Sequence, residues 1–475
     1  MIAAPDEEKA PGRPRGIRAH AIGIAWPASV EYIVMTGIML ADTIFISRVG
    51  TAEVAGVSIA FTLIFMFVAL FNAVAIASTT VVAQAKGAGN MKVGEEGAAQ
   101  SVLLAVMIGL ATGIAGFAAA GLTMKVMGLQ GLSAQAGATY MGTVLLSAPL
   151  YAVALTGGGI MKGVGDTRTP MTFTVIANSI KIGLSAVLVF GLLGFPAMGV
   201  KGAALATVVG YSLNAIMVST KLLRGFDGMR LNRIALFRPR PDLLKRLFAL
   251  SMPVAGEQII MRMGFVFYMR VVSSLGTIAL AANVMAMRLE SVALTVGFGF
   301  TVASTTLVGQ AVGRRDYEGA ERKANITAQL SVATMATMAV ILLLVRTSVL
   351  DVFNPEAEVR GLALACLVIA AFELVPLGFI FTYAGALRGA GDTRSPMIVA
   401  LVGTFLFRLP LVYVLAIPFG LGLQGIWYGT LIDWIGRAVV IYAIFRRGKW
   451  KTKAFIQESE MESSGPELPK EGEQS

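Results

Sequence analysis

The sequence predicts an all-α membrane fold of twelve transmembrane helices arranged as two homologous six-helix lobes. Three observations lead there: an apolar composition, a series of long apolar runs, and a gapless internal repeat. The chain has 475 residues, 56% hydrophobic and 14% charged, whereas a soluble domain carries about 25% charged residues. Its apolar runs are near or above the roughly 20 residues that a helix needs to cross the hydrocarbon layer. A transmembrane barrel would instead show alternating strands of about ten residues, and no such strands are evident.

Taken in order, residues 1–20 read as a cytoplasmic tail, with Pro5, Pro11 and Pro14 among charges and no cleavable signal pattern. Residues 21–223 form the first lobe, with helices expected at 22–47, 53–85, 97–123, 135–160, 170–193 and 199–222. A basic cytoplasmic linker occupies 224–243. The second lobe, 244–446, has helices expected at 244–273, 280–311, 323–349, 360–386, 396–418 and 423–446. The tail 447–475, with Glu458, Glu460, Glu462 and Glu467, reads as disordered.

The net charge of +11 follows from membrane topology and does not call for nucleic acid as a partner. Arg13, Arg15 and Arg18, then Lys86 and Lys92, Lys162 and Arg168, the linker cations, Arg314 and Arg315, Arg388 and Arg394, and Arg446, Arg447 and Lys449 all fall on one face. Both termini are therefore expected in the cytoplasm, in an inner or plasma membrane. The single cysteine, Cys366, allows no intramolecular disulfide. The single histidine, His20, stands apart from any metal-binding pattern, and no phosphate-binding loop of the G-x-x-x-x-G-K-[ST] type is present. Zinc catalysis and direct use of ATP are thus not expected, nor is any cofactor.

One constant offset, the one that carries Pro27 to Pro253, lays the second half over the first without gaps. It also places Glu31 on Glu257, Ser78-Thr79-Thr80 on Ser304-Thr305-Thr306 and Gln84 on Gln310. Further along it carries Gly163 to Met171 onto Gly389 to Met397. With six spans per half the repeat is parallel, related by an axis along the membrane normal, and the substrate path is expected between the halves. The repeated motif G-x-G-D-T-R-[T/S]-P-M includes Gly165, Asp166, Arg168 and Pro170, then Gly391, Asp392, Arg394 and Pro396. Glycine suits the tight turn, Asp or Thr can cap the following helix, and proline suits its first turn. The motif is first a structural turn, with a gate lock through Arg168 or Arg394 as the alternative.

On these residues the chain resembles the multidrug and toxic compound extrusion (MATE) family over residues 20–446. The carriers are the doubled motif, the first-helix pattern from Pro27 through Asp42-Thr43 to Gly50, and Thr305 to Gln310. The resemblance implies a V-shaped pair of six-helix lobes that exports cationic or amphipathic compounds in exchange for protons or sodium ions. It also implies a proton-coupling role for Asp42 and a bend at Pro27. On the fifth helix, where the family's partner positions usually carry Asn and Asp, this chain has Lys181 and Ser185.

The residues also speak for themselves, because ionisable groups inside spans are functional candidates by default. Glu31 and Asp42 lie eleven residues apart, close to three helical turns, and face one stripe of helix 1. Either is a candidate to exchange a proton, with a lobe-stabilising ion pair as the plain alternative. Asn178, Lys181 and Ser185 share one face of helix 5, and Lys181 is expected to pair with Asp42. In the second half Tyr268 stands at the counterpart of Asp42, and Glu257, Arg262, Arg288, Glu290 and Glu373 are candidates for a charged cavity. Asp433 and Arg437 are expected to form a structural pair. The expected function is secondary active export of small organic molecules by a monomer in the bilayer, with H+ favoured over Na+. A lipid or lipid-precursor flippase, kept open by Arg262, Arg270, Arg288 and Lys181, and a polytopic membrane enzyme are the alternatives.

Overall fold

The computed structural model describes residues 14–231, 235–236 and 238–455. The first half comprises α1 (Pro14–Ser47), α2 (Thr51–Ala88), α3 (Met91–Val126), α4 (Gly131–Leu146 and Ala148–Val164), α5 (Arg168–Phe190) and α6 (Gly199–Arg224). The second comprises α7 (Pro241–Ser274), α8 (Thr277–Gly313), α9 (Tyr317–Asp351), α10 (Ala357–Gly389), α11 (Arg394–Ala416) and α12 (Gly422–Arg446). Helices satisfy their backbone groups internally, which lipid demands. Large apolar side chains such as Ile114, Leu122 and Leu344 accordingly stand exposed on the outside.

Among the described residues, ten helices are long and apolar enough to span a membrane, and the bent pair that forms α4 makes eleven. The twelfth, α7, matches α1 in length at 34 residues. It falls short in apolarity because Asp242, Lys245, Arg246, Glu257, Arg262 and Arg270 lie along it.

Four local features depart from expectation. Helix α1 begins at Pro14, so residues 14–20 are helix and not tail. Helix α4, expected as one rod, bends by 54° at Ser147, because Pro149 cannot continue the preceding arm yet suits the first turn of the next. Helix α11 contains a π turn, Gly403–Arg408. Order also continues past α12: Lys449–Thr452 form a 3-10 turn and Trp450 is fully buried, in place of a tail disordered from 447. The linker lies along α3, held by Gln100 to the carbonyls of Ala235 and Arg238 and by an Arg240–Glu96 ion pair. Arg13, Arg233 and the tail glutamates lie outside the described residues.

The two halves meet reciprocally at the basic face. Thr80 donates to the carbonyl of Arg388, and its repeat Thr306 donates to that of Lys162, at 3.0 and 2.9 Å. Gln84 donates to the Gly389 carbonyl at 2.9 Å, and Gln310 to the Gly163 carbonyl at 3.1 Å. Side chains of each half thus cap the last-turn carbonyls of α10 and α4 in the other, groups that a helix end leaves unpaired. A Cβ at Gly87 would lie 2.1 Å from the Gln310 carbonyl oxygen, and one at Gly313 would lie 2.0 Å from that of Gln84. Contacts exchanged in this way define a two-fold relation between parallel halves. The turn motif obeys it too: Asp166 accepts from the Thr169 amide and Asp392 from the Ser395 amide, after Gly165 and Gly391 at φ 104° and 92°.

Apolar packing across the halves continues on the same side, with Ile17, Ala21, Ile24 and Ala25 of α1 against Phe300, Ala303 and Leu307 of α8. Ser29 also donates to the Val296 carbonyl, at 2.9 Å. These contacts between the halves lie in the basic-side portions of α1, α2, α4, α8 and α10.

Candidate functional site

Helix α1 passes from this interface into the first half, where Asp42 meets Lys181 of α5. The Lys181 Nζ to Asp42 Oδ2 distance is 2.6 Å, with both residues buried at 5% and 1% exposure. Room for the lysine stem comes from Gly210 on α6, where a Cβ would lie 3.0 Å from that of Lys181. Tyr140 closes the surroundings and lies 3.5 Å from Thr207. The second oxygen of Asp42 and the hydroxyl of Ser185 are buried without a hydrogen-bond partner. Asn178 does not join them, since its amide donates to the Thr174 carbonyl of its own helix.

Two further ion pairs sit nearer the basic face and repeat each other. Glu31 of α1 pairs with Lys162 of α4 at 2.8 Å, and Glu257 of α7 pairs with Arg388 of α10 at 2.7 Å. The offset between the halves maps one pair onto the other. Lys162 and Arg388, counted as face cations in the sequence, in fact turn inward. An ion pair is the plain alternative that the sequence offers for Glu31; it does not name Lys162 as the partner, although opposite charges at the same two positions of both halves are the signal. Beside these pairs Tyr32, Phe298 and Phe381 bring aromatic rings from α1, α8 and α10 together, with centroids 5.3 and 4.9 Å apart.

The second half buries a different constellation. Tyr268, at the counterpart of Asp42, donates to the Asn283 side-chain oxygen at 2.8 Å, and the Trp427 indole N–H donates to the same atom at 3.1 Å. Glu290 and Glu373 are neighbouring carboxyl groups, 8% and 2% exposed, and the Thr430 hydroxyl donates to Glu373. Next to them Arg408, projected from the π turn, pairs with Asp433 at 2.8 Å and covers the Trp434 ring at 4.0 Å. Asp433 also takes Arg437 at 2.8 Å, as expected of these two residues four apart.

The six candidates of the second half therefore separate. Glu290, Glu373 and Tyr268 come together. Glu257 belongs to the Arg388 pair, because it lies too near the basic face to reach them. Arg262 lies 5.5 Å over the Phe65 ring of α2, and Arg288 is exposed on α8, so neither enters the buried cluster. The sequence marks Arg408 as a charge within a span that must find a partner, but does not name Asp433 as that partner. No group of three or more His, Cys, Asp or Glu residues able to hold a metal ion occurs among the described residues.

Duplicated parallel halves, spans of this length and ionisable residues buried within them define a multi-pass membrane protein of the duplicated helical transporter class. The chain belongs to the MatE family, whose pattern matches residues 27–187 and 253–414, once in each half. It is 28% identical over 453 residues to the probable multidrug resistance protein NorM of Thermotoga maritima, covering 94% of this chain and 96% of that protein. It is 24% identical over 441 residues to the multidrug resistance protein MdtK of Edwardsiella ictaluri, covering 92% and 96%. A solved structure of an outward-facing multidrug resistance MATE family transporter superposes with a TM-score of 0.86 at 21% identity, over 95% of this chain and all of that one.

Proposed function

We propose that this protein is a secondary active multidrug exporter of the plasma membrane, working as a monomer and moving amphipathic, chiefly cationic organic compounds outward in exchange for protons. The names of its relatives support the substrate class. The buried Asp42–Lys181 pair is the observation that carries the coupling. It joins α1 to α5, and α1 also packs on the other half, so its state is linked to the relation between the halves. A proton on Asp42 removes the attraction that holds Lys181 and frees α1 to move against α5. Coupling requires that the protonated site favour one arrangement of the halves and the drug-loaded site the other, since equal affinity shifts nothing.

The buried neighbouring carboxyls Glu290 and Glu373 are a second place where a proton can be held. By the positive-inside rule the basic face and both termini are cytoplasmic, and the joined basic face then corresponds to an outward-open state. Of the four cations that a flippase for anionic lipids would call on, Lys181 is neutralised by Asp42 and Arg262 lies over the Phe65 ring.

The test is drug flux in proteoliposomes with proton and sodium gradients imposed separately. Export driven by the proton gradient, and lost in a folded Asp42→Asn variant, is the expected outcome. Flux that follows only sodium would overturn proton coupling, and normal proton-driven flux in Asp42→Asn would remove Asp42 from the cycle.

A further inference from the structure

Beyond the end of α12, residues 449–455 cross the basic face from one half to the other. Gly448, at φ 71°, reverses the chain, and Trp450 stacks on Phe445 with its indole N–H donating to the Phe445 carbonyl at 2.8 Å. The segment is then fastened to the second half twice. Lys451 pairs with Glu321 of α9 at 2.8 Å, and Lys453 pairs with Asp392 of the repeated turn at 2.9 Å.

Its last described residue reaches the first half. The Phe455 amide donates to the Gln84 side-chain oxygen of α2 at 2.8 Å. Its carbonyl accepts from Arg246 of α7, and the Arg246 guanidinium covers its ring at 4.3 Å. The ring is 7% exposed, in the core cluster that holds Ala85 and Val81 of α2 and Leu243 and Leu247 of α7.

We propose that residues 449–455 are a strap that locks the basic face shut by seating Phe455 between α2 and α7, and that this strap must leave its seat whenever that face opens. Gln84 joins the strap to the contact between the halves. The same side chain donates to the Gly389 carbonyl across the interface and accepts from Phe455, so separating α2 from the second half breaks both bonds and uncovers the ring. The lock is one-sided. At the repeated position in the other half, α1, α8 and α9 enclose a cavity of about 480 Å³ lined by His20, Gln310, Arg314 and Lys323. The offset between the halves places His20 on Arg246 and Gln84 on Gln310, so the cavity is the counterpart of the Phe455 seat.

The strap rests on the alternating-access reading of the transporter, and its test separates the two. Spin labels at Lys92→Cys and Glu318→Cys, equivalent positions at the starts of α3 and α9, are placed in a Cys366→Ala background to report the gap at the basic face by pulsed electron paramagnetic resonance in nanodiscs. Burial of an aromatic ring is a large contribution. Phe455→Ala is therefore expected to raise the ratio of long to short distances about tenfold, and Phe455→Trp to leave it near that of the parent. Equal ratios in the parent and in Phe455→Ala would overturn the strap. Failure of the exporter reading appears elsewhere, as absent drug flux in parent proteoliposomes, a readout on which the distances do not depend.

Discussion

Asp42 and Lys181 stabilise the first half only as a pair. Both are buried, and removing one partner of a buried pair strands the other charge in an apolar setting, at about 3–5 kcal/mol, whereas removing both is far milder. Lys181→Met is therefore expected to lower thermal stability in detergent strongly, and adding Asp42→Asn to recover most of the loss. A double variant no more stable than Lys181→Met would mean that the pair is not what holds α1 to α5. Lys181→Asn puts an amide within reach of Asp42 instead of an ammonium. That variant should keep export and displace the pH profile of drug-stimulated proton flux, and an unmoved profile would separate Lys181 from proton coupling. The pair itself was legible in the sequence, because a lysine inside a span calls for a carboxylate and few are in reach. The unpartnered Ser185 hydroxyl and the bond of Asn178 to its own helix were not, since the shared face of a helix does not fix where a side chain finds its bond.

At the scale of elements, the two helices that begin each half carry a proline in their interior, Pro27 in α1 and Pro253 in α7. Proline at position i cannot donate to the carbonyl four residues before it. The Gly23 and Ala249 carbonyls are thereby released, and each helix has a weak point where two shapes are close in energy. Pro27→Ala should leave the protein folded and slow export, as measured by initial rates of drug flux at normal expression. Unchanged rates would show that flexure of α1 plays no part in the cycle. The π turn of α11 makes a different demand. A Cβ at Gly403 would fall 2.3 Å from Arg437 Nε, so Gly403→Ala is expected to displace Arg437 from Asp433 and to destabilise the second half by about 1–3 kcal/mol, read from thermal unfolding. The number and order of the helices and the repeat could be derived from hydropathy and spacing, although α1, α3 and α9 begin at Pro14, Met91 and Tyr317, ahead of the expected 22, 97 and 323. The bend at Ser147 and the π turn depend on how neighbouring helices press on the chain, and no single-helix periodicity encodes that pressure.

For the molecule as a whole, the reciprocal interface makes a symmetrical prediction. Gly87 and Gly313 each bring α2 or α8 against a carbonyl of the other half, and either Gly→Leu substitution should hold the basic face apart. The two variants should show the same labelling gain at the basic face in a cysteine-accessibility assay. A strong effect from one alone would show that the halves close asymmetrically. The common offset of the halves already placed Glu31 with Glu257 and Lys162 with Arg388. What it could not supply is where the chain abandons its own symmetry: Tyr268 in place of Asp42, and a terminal segment that fills only one of two equivalent seats. Divergence of that kind lies in single residues, and a repeat defines only what the copies have kept.

The last-turn carbonyls that Thr80, Gln84, Thr306 and Gln310 cap from the opposite half imply that water is a reactant in the cycle. When the halves part, those oxygens and the side chains that served them lose their partners together and must take up solvent. The open face is then the wetter state by a definite stoichiometry, and its population depends on water activity as it would on the concentration of a ligand. Solutes excluded from the gap, such as sucrose, will favour the closed arrangement. A cell in a medium of rising osmotic strength would find this pump increasingly held with its basic face sealed, without any change in drug, proton or lipid.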